Sequence, residues 1–300
     1  MIVHMASLYT QQGKNIRKTW VLMTGFLVAV VALGWLFAQI YGDAFILYIA
    51  IAFSLAMNVS AYWFSDKIAL SATGAKEADA REYLELHRIV ENLAITAGLP
   101  KPRLYVIDDP APNAFAAGRD PKHAVVAVTT GLLARLERSE LEGVLAHELS
   151  HIGNRDILVM TVAVVLAGFI AIISDIFLRM SFFGGGSKDN KSPIFLIAGV
   201  VAIIVAPIAA QLIKLAVSRK REFLADASGA LLTRYPDALA SALQKIASYG
   251  APMRKANHAT AHLFISNPFG SHEAGKFIAK IFSTHPPVEE RVAALTQMRP

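Results

Sequence analysis

S-E-L-E-G-V-L-A-H-E-L-S-H-I-G, Ser139 to Gly153, has the pattern of a helix that carries chemistry on one face. Ser139 followed by Glu142 matches the S-x-x-E signature of a helix start, in which the two side chains satisfy backbone donors reciprocally. Leu141, Val144, Leu145 and Leu149 recur at helical spacing, and Gly153 is a natural stop. His147 and His151 are four residues apart, so a helix presents both imidazoles to one point. This is H-E-x-x-H, the pattern in which two histidines hold Zn²⁺ and the glutamate between them, here Glu148, acts as general base. The competing reading is a solvated helix that happens to carry two histidines.

Composition restricts what surrounds that helix. Of 300 residues, 54% are hydrophobic and only 17% charged, more apolar than a soluble enzyme of this size. The chain has no cysteine, which excludes disulfides and thiolate ligands and leaves histidine and carboxylate as the strong zinc donors. The net charge of +6 is not gathered into a basic stripe with interleaved aromatics, so nucleic acid is not the expected partner. Basic residues flanking membrane spans account for it better.

Towards the N-terminus, Lys14, Arg17 and Lys18 precede an uncharged run from Val21 to Ile40, flanked by Trp20 and Tyr41. That is the length of one bilayer crossing with interfacial aromatics. It is too long for the apolar core of a signal peptide and reads as an uncleaved signal anchor. A second uncharged run, Ala44 to Phe64, follows the Gly42-Asp43 link. Residues 1–65 therefore predict a membrane hairpin with spans at about 20–41 and 44–64. The basic flank, set against a link holding only Asp43, puts the N-terminus and the chain beyond residue 65 on the cytoplasmic side.

Residues 66–156 turn polar. Glu77 to Ala97 has amphipathic spacing closed by Gly98, and three β-like runs follow at Arg103–Ile107, Asn113–Ala117 and His123–Thr129. They predict a small antiparallel sheet ahead of the metal helix. Within P-N-A-F-A, residues Asn113, Ala114 and Phe115 would pair with an extended peptide if that strand lies along the cleft. An ordinary edge strand explains the same residues equally well.

Beyond the metal helix, residues 157–215 hold two further apolar runs, at about 157–178 and 194–213, broken only by Asp175, Pro207 and Gln211. Their lengths fit a second membrane hairpin. Arg179, Lys188 and Lys191 in the connecting loop fit the positive-inside bias poorly, which favours a hairpin tilted or buried against protein.

Residues 216–300 supply what a catalytic zinc site still lacks, a third protein ligand. In R-E-F-L-A-D, Glu222 is the candidate, against the alternative of a membrane-proximal charge paired with Arg219 or Arg221. Asp226, one turn on, is placed to accept the distal N–H of a ligating histidine. Ala225, Ala227 and Gly229-Ala230 would let this helix pack closely on the first. A rival pair, His258 and His262 in H-A-T-A-H, has alanine where a base would stand and reads as a loop or helix. His285, before Pro286-Pro287, is either a surface histidine or a group that stabilises an oxyanion.

H-E-L-S-H, a following membrane hairpin, R-E-F-L-A-D and a late H-P-P together resemble the HtpX-type membrane zinc metallopeptidases, relatives of the CaaX prenyl proteases. The resemblance covers nearly the whole chain. It implies one Zn²⁺ per chain held by His147, His151 and Glu222, with Glu148 as base and His285 assisting the oxyanion. It implies that Asn113 and its neighbours line the substrate groove. It further implies a bacterial inner-membrane enzyme that degrades damaged or misfolded membrane proteins under stress. If the enzyme also cuts itself, a variant without Glu148 should accumulate at full length. A CaaX-type prenyl-protein protease ranks second, and an inactive zinc-binding membrane adaptor third. The expected fold is a mainly α integral membrane protein with about four transmembrane helices. They accompany a zincin-like α+β metallopeptidase domain with a small antiparallel sheet.

Overall fold

In the computed structural model, residues 2–183, 219–255, 260–270 and 286–298 are described. Helices α1 (Ile2–Tyr41) and α2 (Phe45–Trp63) form the N-terminal hairpin, turning at Gly42. Both are apolar and long enough to cross a membrane over Gln12–Tyr41 and Phe45–Trp63. Trp35, Phe45, Tyr48, Ile49 and Leu55 on their surface are more than half exposed, as lipid-facing side chains would be. The two helices come close where Gly34 faces Ala50, leaving no room for a side chain. The helix runs on to Ile2, ahead of the expected start of the span near residue 20, because no proline interrupts the polar segment.

A short helix α3 (Ser65–Thr73) leads to strand β1 (Lys76–Glu77) and helix α4 (Leu84–Ala97), which Gly98 caps in the left-handed conformation. The expected helix from Glu77 thus starts seven residues later, since Lys76 and Glu77 pair with Val106 and Tyr105 instead. Strands β2 (Arg103–Ile107), β3 (Ala114–Ala117) and β4 (Val125–Thr129) complete a sheet of order β1-β2-β4-β3. The expectation of an antiparallel sheet is corrected here: β4 is parallel to β2 and antiparallel to β3. The connections give the reason: the short link 118–124 between β3 and β4 suits an antiparallel pair, whereas residues 108–124 between β2 and β4 are long enough for the crossover that a parallel pair requires.

Alternate residues of the sheet feed two cores. Leu104, Val106, Ala116, Val126 and Val128 pack with α4, with α6 (Arg138–Gly153) and with α9 (Pro236–Ala247). Phe115, Ala117, Val125 and Ala127 pack with Leu22 and Phe26 of α1 and with α7 (Asp156–Phe183). A short helix α5 (Thr130–Arg135) links β4 to α6, and α8 (Arg219–Thr233) and α10 (Val288–Thr296) complete the described helices.

Helix α6 begins one residue before Ser139, and its cap differs from the expected pair. Glu137 is the N-cap and its N–H donates to Glu140 at 2.8 Å. Between α6 and α7 the chain bends by 84°, with Arg155 in the left-handed region at φ 61°. Residues Ile157 to Leu166 of α7 are buried among protein side chains rather than turned outward. The described residues therefore hold two candidate spans, or three if α6 and α7 count as one broken span. The run at about 194–213 lies outside the described residues.

Candidate active site

α6 is the floor of the site, and its burial follows from its sequence. Val144, Leu145 and Leu149 turn one face into the core, while His147, Glu148 and His151, 1–4% exposed, are enclosed on the other. α8 packs against this face at close range: a Cβ on Gly229 would lie 2.9 Å from the backbone nitrogen of His147. That approach, with Ala225 and Ala230 also buried, brings Glu222 and Asp226 over the histidines.

His147 Nε2 and His151 Nε2 are 3.1 Å apart, and the Glu222 carboxylate lies 3.9 Å from the first and 3.6 Å from the second. One donor atom from each of the three residues falls within 4.8 Å of the others, a grouping able to hold a metal ion. Each imidazole is fixed from behind. Asp226 Oδ1 lies 2.9 Å from His147 Nδ1, and Asp156 Oδ2 lies 3.0 Å from His151 Nδ1. A carboxylate only accepts, so both rings donate through Nδ1 and turn Nε2 inward. Around this point stand Glu148, Asp156, Glu222 and Asp226, with Arg221 and Arg291 as the buried guanidiniums. Four carboxylates against two guanidiniums leave a formal excess of negative charge that suits a divalent cation.

The titrations follow the same environment. Burial pushes the Glu148 carboxyl up to about 7, against the pull of His151, Arg291 and a backbone hydrogen bond from Ala116. Burial lowers His147. It would lower His151 as well, but the Asp156 hydrogen bond and the Glu222 charge outweigh it and hold that ring at about 9. Burial would raise Asp226, but Arg291 and His147 keep it near 2. A carboxyl poised near neutrality beside a cation site is suited to taking up and returning a proton.

Asn113, Ala114 and Phe115 lie at the outer edge of the sheet beside α6, but they are buried. Asn113 Nδ2 donates to Ser266 O at 3.0 Å, Ile265 N donates to Ala114 O at 2.9 Å, and Phe115 bridges Phe264. An incoming peptide could pair along residues 113–115 only where residues 263–266 had moved aside. His262 of the rival pair is buried, while His258 and His285 lie outside the described residues.

Two residues of this site escaped the sequence reading. Arg291, 1% exposed, falls on the stripe Val288, Val292, Leu295, and a charge on an apolar stripe was the available signal. Asp156 stands between the metal helix and the next apolar run, and only the sharp bend after Gly153 returns it to His151.

The model of peptidase family M48 matches residues 80–299, most of the chain. The chain belongs to peptidase family M48. Relatives in the family include a protease HtpX homolog of Caldanaerobacter subterraneus subsp. tengcongensis, 48% identical over 300 residues, covering 97% of this chain and 98% of that one. Another is a protease HtpX homolog of Pyrococcus furiosus, 51% identical over 252 residues, covering 83% and 86% respectively. Among solved structures, that of Ste24p from S. mikatae matches with a TM-score of 0.51 at 19% identity, over 97% of this chain and 67% of its own. At that identity the likeness speaks for the fold. Family membership, the apolar helices and the His147-His151-Glu222 group make this M48 chain a membrane metallopeptidase.

Proposed function

We propose that the protein is a zinc-dependent endopeptidase that hydrolyses misfolded or damaged membrane proteins at the cytoplasmic face of a bacterial inner membrane, as part of protein quality control under stress. The observation that carries the reading is Glu148, a buried carboxyl near neutrality, adjoining the donor group of His147, His151 and Glu222. Two imidazoles and one carboxylate, in a chain without thiols, form a donor set that fits Zn²⁺ with a position left for water and substrate. Zinc bound there would acidify water and polarise the scissile carbonyl.

The chain's own groups do the rest. Glu148 accepts a proton from the attacking water and returns it to the leaving amine. Asp226 and Asp156 hold the two rings in the tautomer that directs Nε2 to the metal. Asn113, Ala114 and Phe115 bind the extended substrate once residues 263–266 move aside, and His285 stabilises the oxyanion. The N-terminal hairpin spans residues 1–65 and the second hairpin residues 157–215. The peptidase domain is split between residues 66–156 and 216–300.

Topology supports the substrate class. Asn15 of α1 touches Asp156 beside the metal helix, and Lys14, Arg17 and Lys18 flank that contact. The site therefore lies at the basic end of α1, which the positive-inside bias assigns to the cytoplasm. An enzyme placed there meets polypeptide emerging from the bilayer before it meets free cytosolic protein.

The test is cleavage by protein reconstituted in liposomes, of a destabilised membrane protein against an unfolded soluble one. Glu148→Gln should keep zinc and lose at least ~10²-fold in rate, and self-cleavage should stop in that variant. Equal rates by variant and wild type would reject the peptidase mechanism. Faster cleavage of the soluble protein would reject the substrate class alone.

A further inference from the structure

His151 is held by a carboxylate that is itself held, and the holding group comes from the N-terminal helix α1. Asp156 opens α7 immediately after the 84° bend and is wholly buried, with Oδ2 3.0 Å from His151 Nδ1. Its other oxygen, Oδ1, accepts from Asn15 Nδ2 of α1 at 2.6 Å. The same Nδ2 donates to Asn154 O at 3.1 Å, and Gln12, about one turn earlier, donates through Nε2 to Gly153 O at 2.7 Å. Arg221, the residue before Glu222, places Nε 3.4 Å from the same Asp156 Oδ1. Asn15 is 1% exposed. Thus α1 grips the bend between the metal helix and α7 at three acceptors.

The polar grip is local to one end of the helix. Along one face of α1, Gln12, Asn15 and Thr19 give way to Leu22 and Phe26, which are 2% and 1% exposed in the core against α7. An amide buried in an apolar helix is costly unless its donors are used, and here Asn15 spends both hydrogen bonds on the bend. A neutral donor also leaves the negative charge of Asp156 intact, where a cation in its place would oppose the metal.

We infer that Asn15 is a positioning residue of the metal centre: through Asp156 it orients His151, so that metal affinity depends on the N-terminal membrane helix. Asn15 lies outside residues 80–299, which the family model matches, so this grip is a property of the full chain. The inference rests on the reading of His147, His151 and Glu222 as metal ligands. In a loaded site, the direction of the Asp156 carboxylate sets the direction of the His151 ring, and a carboxylate without its second donor turns away. Arg221 provides charge at longer range but at 3.4 Å does not replace the hydrogen bond.

The experiment uses the full chain in the Glu148→Gln background, which removes self-cleavage, and measures metal affinity by chelator competition together with the visible spectrum of the Co²⁺-loaded protein. Asn15→Ala should weaken metal binding severalfold, up to the ~10–100-fold expected for loss of Asp156 itself, and alter the Co²⁺ spectrum. Asn15→Asp, which keeps the shape but faces one carboxylate with another, should weaken it at least as far. Asn58→Ala removes a different polar contact of α1, the 3.1 Å donation to Met23 O from α2, and should leave both readouts unchanged. Wild-type affinity in the folded Asn15 variants would overturn the inference. So would an equal loss in Asn58→Ala, because helix packing would then explain both. If the starting protein binds no metal, or binds one that survives His147→Ala, the metal-centre reading itself fails.

Discussion

Arg291 holds Asp226 with two hydrogen bonds, Nε to Oδ2 at 2.8 Å and Nη2 to Oδ1 at 2.7 Å, across 65 residues of chain, and both side chains are 1% exposed. Asp226 Oδ1 also lies 2.9 Å from His147 Nδ1, and Arg291 Nη1 donates to Ile265 O at 3.1 Å. The last described helix is thereby tied both to the metal helix and to the segment that covers β3.

Arg291→Ala would leave Asp226 buried without its guanidinium. Loss of one partner from a buried pair costs about 3–5 kcal/mol, so the variant should unfold at markedly lower denaturant or temperature. Replacing both partners, Arg291→Leu with Asp226→Asn, should cost less than the two single changes added together. Additive losses in chemical denaturation would mean the pair does not act as a unit.

Glu222→Gln should weaken metal binding more than Asp226→Asn does. The first change removes a proposed ligand and its charge, whereas the second keeps all three ligands and acts on the metal through the orientation of His147, an effect of about 10–100-fold, beside its separate cost to the Arg291 pair. Isothermal titration with zinc separates the two. Wild-type affinity in Glu222→Gln would move the third ligand elsewhere.

Gly229 offers a test of opposite signs. In a free helix, replacing glycine by alanine stabilises by about 1 kcal/mol. Here the new Cβ would stand 2.9 Å from the His147 nitrogen and must push α8 off α6. Gly229→Ala should therefore lower stability, by about 1–3 kcal/mol, and reduce metal affinity as Glu222 moves with its helix. A raised melting temperature would show that α8 is less closely seated.

Glu140 gives a pH dependence. Burial would raise its carboxyl above the ordinary 4.5, but hydrogen bonds from Lys245 and Ser241 and the Glu137 N–H outweigh that and hold it lower. A carboxyl depressed in the folded state contributes stability above its unfolded value, and that contribution is lost as pH falls through the folded one. Wild type should thus be more stable than Glu140→Gln near pH 7, and the difference should close as pH falls below the depressed folded-state value. A gap that persists in acid unfolding would assign the effect to packing of α6 on α9.

His147, Glu148 and His151 were legible as one constellation because helix periodicity alone sets their spacing and face, whereas the candidates Glu222 and Asp226 were reached only through the need for a third ligand and a partner one turn on. The apolar runs of α1 and α2 were legible for a similar reason: length and hydropathy are local properties. Arg291 and Asn15 were not, since each reaches its partner across more than 60 residues, and nothing local distinguishes a buried guanidinium or amide from an exposed one. The direction of β4 was hidden likewise. Val125-Val126-Ala127-Val128 reads as an apolar strand in either sense, and only the path of the chain through β3 brings it between β2 and β3 and parallel to β2.

By itself, then, the sequence determined which residues of α6 could be ligand and base, because residues on one helix share a fixed geometry. The tertiary structure decided what holds them. The 84° bend at Asn154-Arg155 returns Asp156 to His151, α10 brings Arg291 to Asp226, and α1 brings Asn15 to Asp156. Those partners depend on how helices pack, and packing is settled by the balance of burial over the whole chain rather than by any one stretch of it.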